Sequence, residues 1–360
     1  MSGSDGAPAT VGVVTTSGNG SHGILRNALE AICSGQDLDR ATARALMDHI
    51  MEGEATPAQV GAALVAFRIK GETVDEIAGM VESMRDHATP VHLDVDAVDT
   101  CGTGGDNSNT FNISTAAALV VAGAGQPVAK HGNRAASSQT GSADVLEELG
   151  VAISLSADSV RECIETVGIG FIFAPAFHPA MRHVAPVRSQ LGIRTVFNIL
   201  GPLANPARVR RQSVGVGDIA VASRMAAVLQ LIGHEKALVF TGAGGIDELS
   251  LWGVAQCFVV TPEGVQEREI DPAAMQFSVS TVDALRGGDA ATNAKLVVAV
   301  LDGATGAHRD VVLLNAAAAL VAAGRTDDFP EAIALAAESI DSGAARRVLD
   351  RWVDLSRQLS

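Results

Sequence analysis

From Ile24 to His87 apolar residues recur with the spacing of helix faces: Leu25, Leu29 and Ile32, then Ala43, Leu46, Met47, Ile50 and Met51, then Val60, Ala63, Leu64 and Phe67, then Ile77, Met80, Val81 and Met84. Breaks at residues 34–37, 53–57 and 70–73 divide this stretch into four short helices. Thr56-Pro57 has the form of an N-cap followed by proline at the first helical position, and Thr73-Val74-Asp75-Glu76 that of a capping box. After Thr89-Pro90 the period changes. Runs at 97–101, 127–130, 170–174, 213–217, 236–241 and 255–261 predict strands, with helices over 115–123, 141–149, 156–167, 219–232, 290–301, 309–323 and the 328–357 region. Such alternation predicts an α/β fold with a central, mainly parallel sheet flanked by helices, beside a small all-helical domain. Residues 171–206 interrupt the rhythm with helical apolar content and read as a return to the first domain. The expected division is a disordered tail over 1–23, a small helical domain over 24–92 and about 178–206, and a large α/β domain over 93–177 and 207–360.

Composition narrows the function classes. A hydrophobic fraction of 47% with 3% aromatics and no tyrosine suits closely packed helices on a sheet. A formal net charge of -15 leaves no broad basic face for nucleic acid or a membrane surface. Cys33, Cys101, Cys163 and Cys257 are far apart in apolar surroundings, so they read as free thiols and not as a zinc set. The first residues are rich in Gly, Ser, Thr and Ala without a basic start, unlike a signal peptide, and no window is apolar enough for a membrane span. The expected location is cytoplasmic.

The densest polar stretch is Asp99-Thr100-Cys101-Gly102-Thr103-Gly104-Gly105-Asp106, continuing through Asn107-Ser108-Asn109-Thr110-Phe111-Asn112-Ile113-Ser114-Thr115. A strand leads in, glycines allow a tight turn, and Ser114 opens the helix expected over 115–123. Backbone N–H groups of such a turn and of a helix N-terminus bind anions without a lysine in the loop. The pattern G-x-x-x-x-G-K-[ST] is absent, which argues against an ordinary nucleotide P-loop. The polar groups of Asp106, Asn107, Asn109, Thr110, Asn112, Ser114 and Thr115 crowd in front of an apolar helix and need partners, which favours ligand binding over a plain turn.

A second block runs from Lys130-His131-Gly132-Asn133-Arg134 through Ala135-Ala136-Ser137-Ser138 to Gly141-Ser142-Ala143-Asp144, from a strand end to a helix start. In open α/β sheets that is where ligands bind, although a solvated loop has the same composition. A third block, Gly242-Ala243-Gly244-Gly245-Ile246-Asp247-Glu248, places adjacent carboxylates after glycines, which suits magnesium and also suits an ordinary surface. An arginine held in the 171–206 segment can take a carboxylate through two parallel hydrogen bonds.

The three blocks, with Pro186-Val187-Arg188, Gly192-Ile193-Arg194-Thr195 and Gly201-Pro202-Leu203-Ala204-Asn205-Pro206, stand in the order of the anthranilate phosphoribosyltransferase family, which this chain resembles from Ile24 to Arg357. The resemblance implies transfer of a phosphoribosyl group from 5-phosphoribosyl 1-diphosphate to anthranilate in tryptophan biosynthesis, in a homodimer, with two magnesium ions per subunit. It implies that Gly102, Gly105, Asp106 and Thr110 surround the phosphoribosyl diphosphate and that Asn112, Ile113, Ser114 and Thr115 form its diphosphate turn. Lys130, His131, Gly132, Asn133, Arg134, Ala135, Ala136, Ser137 and Ser138 match the long substrate loop, with Asn133 also at an anthranilate position and His131 near the aromatic ring. Arg188 matches the residue that meets the anthranilate carboxylate; Ser114 matches one magnesium ligand, and Asp247 and Glu248 the acids of a second site. Ala135 and Ala136, where a more polar or β-branched pair is expected, and Thr140, where Ser is expected, depart from the pattern.

Diphosphate leaves readily once neutralised by a cation, so position and electrostatics can carry the reaction. The anthranilate amine is neutral near neutral pH and needs no strong base, which fits a chain without an evident triad. His131 is the candidate for an acid/base role. The alternatives are a pyrimidine nucleoside phosphorylase, which would lack the Asp247-Glu248 pair and the need for Arg188, and a non-catalytic nucleic-acid binder, which the charge balance disfavours.

Overall fold

The structure is a computed structural model that describes residues 21–106, 108–135 and 139–360. The expected tail up to residue 20, Asn107, and Ala136, Ser137 and Ser138 of the expected substrate loop lie outside the described residues. The chain divides into two compact units, Met1–His87 with Ala180–Leu200, and Ala88–Pro179 with Gly201–Ser360.

In the first unit, α1 (Ser21–Cys33), α2 (Arg40–Met51), α3 (Pro57–Lys70) and α4 (Val74–Asp86) bury Leu46, Met47, Ile50, Leu64, Phe67, Ile77 and Met80. Residues 21–23, expected in the tail, are helical; the sequence Ser-His-Gly carries no apolar period by which to detect them. Both capping boxes form, Thr56 with Gln59 and Thr73 with Glu76. The Glu76 carboxylate is buried yet fully paired, accepting from Leu38 N at 2.8 Å, Thr73 N at 2.8 Å and Lys70 Nζ at 2.9 Å. From the returning segment comes the helix Ala185–Leu191, which ends at Gly192 with φ of 60°. Ile69 and Ile193 remain 79% and 45% exposed, the former at the end of α3.

In the second unit, β1 (Val98–Gly102), β2 (Val128–Gly132), β3 (Ile169–Phe173), β4 (Arg211–Gly215), β5 (Lys236–Thr241), β6 (Ala255–Thr261) and β7 (Gly264–Ile270) form one sheet in the order β3-β2-β1-β4-β5-β6-β7. β1 to β5 are parallel, and β6 and β7 are antiparallel to their neighbours. The inner strands are buried, polar residues such as Asp99, Lys130 and Gln212 included, so helices must cover them: α5 (Ile113–Gly123) and the helix Ala307–Ala322 are buried along nearly their whole length and pack together. From β1 the chain winds outward through β2 to β3, and from β4 outward through β5, so the winding reverses between β1 and β4. Ligands of open α/β sheets bind in the crevice beyond the carboxyl ends at such a reversal.

β7 was not among the expected strands. Its sequence, Gly-Val-Gln-Glu-Arg-Glu-Ile, is exposed on both faces, so no apolar alternation marks it, and its charges discourage further pairing at this edge. The expected 328–357 helical region is two helices, Phe329–Asp341 and Ala344–Gln358, parted by Gly343 with φ of 71°.

Candidate active site

Segments leaving β1, β4 and β5 meet at their carboxyl ends. Gly104 and Gly105 have φ of 67° and 72°, a conformation that L side chains disfavour, and the turn is tied to β4 by Thr103 N–H donating to Gly215 O at 3.0 Å. A Cβ at Gly215 would fall far inside contact with the Asp247 carbonyl, and one at Gly102 inside contact with the Asp247 carboxylate. Bare backbone at both strand ends is therefore what lets the Asp247-Glu248 loop lie across them.

Asp106 closes the turn, its Oδ1 accepting from Ser108 N at 3.0 Å and Ser108 Oγ at 2.9 Å, and its Oδ2 from Asp247 N at 3.3 Å. Thr110 forms an antiparallel bridge with Arg286. α5 begins at Ile113, two residues before its expected start, with Asn112 as N-cap. The Asn112 side chain makes no cap bond because tertiary partners take it: Nδ2 donates to Thr140 O at 3.3 Å and Oδ1 accepts from Asn293 Nδ2 at 2.9 Å. The Ile113 and Thr115 side chains are buried, so these positions offer a ligand their backbone. Ser114 N–H donates to Glu248 Oε1 at 3.1 Å, and Gly104 N–H to Asp247 Oδ2 at 2.6 Å. The two acids thus rest on the anion-binding N–H groups of the turn and of the helix start.

Burial, then the charge of Asp106, lifts the Asp247 carboxyl to about 7. Burial, then Asp247, lifts Glu248 to about 8, with Lys130 opposing. Desolvated, oxygen-only donors of this kind could hold a hard divalent cation.

Lys130, in the middle of β2, is buried and donates from Nζ to Thr100 O at 2.5 Å and Ser114 Oγ at 3.4 Å; burial pushes its ammonium down, against the pull of Asp99. His131 N–H donates to Asp99 Oδ1 at 3.2 Å, while its Nε2 lies 3.2 Å from Nε2 of His178. Burial, and secondarily His178, hold the His131 ring down to about 3. Gly132 ends the strand, and Asn133 O accepts from Ala143 N and Ser142 Oγ, both at 3.2 Å. Arg134 turns to α6 (Ser142–Glu148), forking onto Glu147 at 2.5 and 2.9 Å and onto Asp144 at 2.8 Å, which raises its pKa further. Ala135 N–H and Gly141 N–H share Asp144 Oδ2, at 3.3 and 2.9 Å. Thr140 Oγ1 donates to Gly288 O at 2.8 Å.

Arg188 belongs to the helical unit, in the last turn of Ala185–Leu191, with its guanidinium 5.3 Å from the Phe197 ring centroid. Burial lowers its pKa, and among the described residues the guanidinium has no hydrogen-bond acceptor. A half-buried planar cation without an acceptor suits a carboxylate.

A family model described as "Glycosyl transferase family, a/b domain" matches residues 94–346, and one described as "Glycosyl transferase family, helical bundle domain" matches residues 26–88. An anthranilate phosphoribosyltransferase of Chloroflexus aurantiacus is 52% identical over 335 residues, covering 92% of this chain and 99% of the relative. This chain belongs to the anthranilate phosphoribosyltransferase family. A solved family member from Thermus thermophilus superposes with a TM-score of 0.87 at 42% identity, covering 92% of this chain and 99% of that one. Another, from Saccharomyces cerevisiae in complex with PRPP and Mg, superposes with a TM-score of 0.86 at 27% identity, covering 94% of this chain and 99% of that one.

Several residues that shape this family member's site escaped sequence reasoning. Asn315, within the apolar helix Ala307–Ala322, brackets the residue after Glu248, accepting from Leu249 N and donating to Leu249 O, both at 2.9 Å. Asn205 donates to Asp99 Oδ2 at 2.9 Å and Ala129 O at 3.0 Å, while Asn293 braces Asn112. The signal available for Asn293 and Asn315 is a lone amide in an apolar helix, a polar group whose burial demands a partner.

Proposed function

We propose that this chain transfers the phosphoribosyl group of 5-phosphoribosyl 1-diphosphate to the amine of anthranilate, releasing diphosphate, in L-tryptophan biosynthesis. The observation that carries this is the convergence of a glycine turn, the start of α5 and the buried Asp247-Glu248 pair where the sheet winding reverses. In this reading Gly102, Gly105, Asp106 and Thr110 surround the phosphoribosyl diphosphate, and the backbone from Asn112 to Thr115 receives its diphosphate. Residues of the Lys130 to Ser138 block contact the substrates, with Asn133 and His131 beside anthranilate. Arg188 pairs with the anthranilate carboxylate.

Two magnesium ions per subunit belong to this reading, one held with the Ser114 hydroxyl and one by Asp247 and Glu248, whose pKa values are raised by burial first and by neighbouring negative charge second. Bound there, magnesium supplies the charge that makes diphosphate a good leaving group. The chain's own part is to align the reactants and hold the leaving group on backbone donors. The neutral amine attacks C1 of the ribose; the N–C1 bond forms, the C1–O bond breaks with its electron pair leaving on diphosphate, and the surplus amine proton passes to solvent. The exposed Ile69 and Ile193 support a homodimer formed through the helical unit. No helix among the described residues is long and apolar enough to cross a membrane.

Anthranilate fluorescence tests the reading directly. Purified protein with 5-phosphoribosyl 1-diphosphate should quench it with magnesium and not with EDTA, and Arg188→Ala should raise KM for anthranilate at least tenfold, as expected for loss of a charge-assisted fork worth about 1.5–3 kcal/mol. No quenching at saturating substrates would overturn it, and phosphate-dependent cleavage of thymidine would then support a phosphorylase.

A further inference from the structure

His131 on β2 and His178, which follows the short helix Ala174–Phe177, meet with their Nε2 atoms 3.2 Å apart and ring centroids 5.1 Å apart. Both are buried, at 8% and 6% exposure, and burial keeps both neutral, with values of about 3 and about 4. Two neutral imidazoles hold this distance only when one Nε2 carries hydrogen and the other offers a lone pair; paired hydrogens or paired lone pairs repel. The surroundings choose between the two arrangements. Besides His178, the groups acting on the His131 ring are the Lys130 ammonium, which opposes a proton, and the Gly201 backbone, which favours one and so acts as an acceptor. Asp99 is engaged with the His131 backbone N–H. Because Nε2 is the atom turned to His178, an acceptor at Gly201 assigns the His131 proton to Nδ1 and leaves Nε2 to accept.

We propose that His178 is a positioning residue that donates its Nε2–H to His131 Nε2, fixing the tautomer and plane of that ring and closing its lone pair to the substrate amine. His131 is then an oriented wall for the aromatic substrate and not a base. This rests on the reading that His131 stands beside anthranilate, and it explains why a buried histidine on β2 has a second histidine against it.

Nitrogen-15 NMR of histidine-labelled full-length protein tests the tautomer without turnover. His131 should show a protonated Nδ1 and a bare Nε2, and a protonated His131 Nε2 would overturn the proposal. Kinetics then test the role. His178→Phe keeps bulk and removes the donor, and should raise KM for anthranilate about tenfold, as expected for a buried acceptor left unpaired, with KM for 5-phosphoribosyl 1-diphosphate nearly unchanged. His178→Gln restores an N–H and should return KM to within about twofold of wild type. Equal loss in both variants, or a change confined to kcat, would overturn the positioning role. Because the NMR arm needs no substrate, absence of any anthranilate turnover in wild type would count against the transferase reading and leave the tautomer decided.

Discussion

A buried imidazole makes stability depend on pH with a definite sign. In the unfolded chain His131 and His178 protonate near the ordinary value of 6.5, whereas in the folded chain they resist protonation down to about 3 and about 4. Over that window the unfolded state binds protons that the folded state refuses, so these residues contribute stability that is full above 6.5 and fades as pH falls. Asp99, Asp247 and Glu248 run the other way, with folded values raised to about 6, 7 and 8, so that the folded state binds the extra protons and stability declines as pH rises through those values. A wild-type curve alone therefore mixes opposing slopes, and a pair of proteins separates them. Urea unfolding of wild type and His178→Gln should show the variant gaining on wild type as pH drops from 7 to 5, by at most ~1.4 kcal/mol per pH unit. Parallel curves would mean that His178 binds protons equally in the folded and unfolded chain, against its burial as a neutral ring.

At the scale of elements, the site exists because strand ends carry no side chain where a loop must cross. Gly215→Ala puts a methyl group into the Asp247 backbone and should reduce magnesium-dependent turnover by more than tenfold while far-ultraviolet circular dichroism stays native, since β4 itself can accept alanine. Asn315→Leu leaves Leu249 N and O unpaired beside the metal acids and should cost about 2–4 kcal/mol in urea unfolding, one buried donor and one acceptor, and weaken magnesium binding measured by calorimetry. These elements also show what was legible beforehand. The strands β1 to β6 and the glycine turns could be read because burial and positive φ restrict residue type locally, as at Gly104 and Gly105. β7 could not, since an edge strand exposed on both faces has no apolar period. The start of α5 was misplaced by two residues because Asn112 spends its side chain on Thr140 and Asn293 and not on a cap. Asn315 and the His131–His178 pair were illegible for a different reason: their partners lie 66 and 47 residues away, and nothing local announces them.

For the whole molecule, a formal net charge of -15 sets the terms of self-association. Two copies repel at long range, so a homodimer has to be driven by apolar area and should tighten, not loosen, as salt screens the repulsion. The helical unit contributes two exposed isoleucines to such an area, Ile69 at 79% and Ile193 at 45%. Sedimentation of wild type should therefore give a dimer that persists or strengthens between low and moderate ionic strength, and Ile69→Glu should shift it toward monomer by adding charge to the apolar patch. Ile69 lies on α3 of the helical unit, whereas the loops that leave β1, β4 and β5 belong to the α/β unit, so the variant's monomer should retain measurable turnover if each subunit carries a complete site. A wild-type monomer would remove the homodimer from the proposal; an Ile69→Glu dimer would move the interface away from α3; and loss of turnover in step with dissociation would mean that the dimer holds the site in working order.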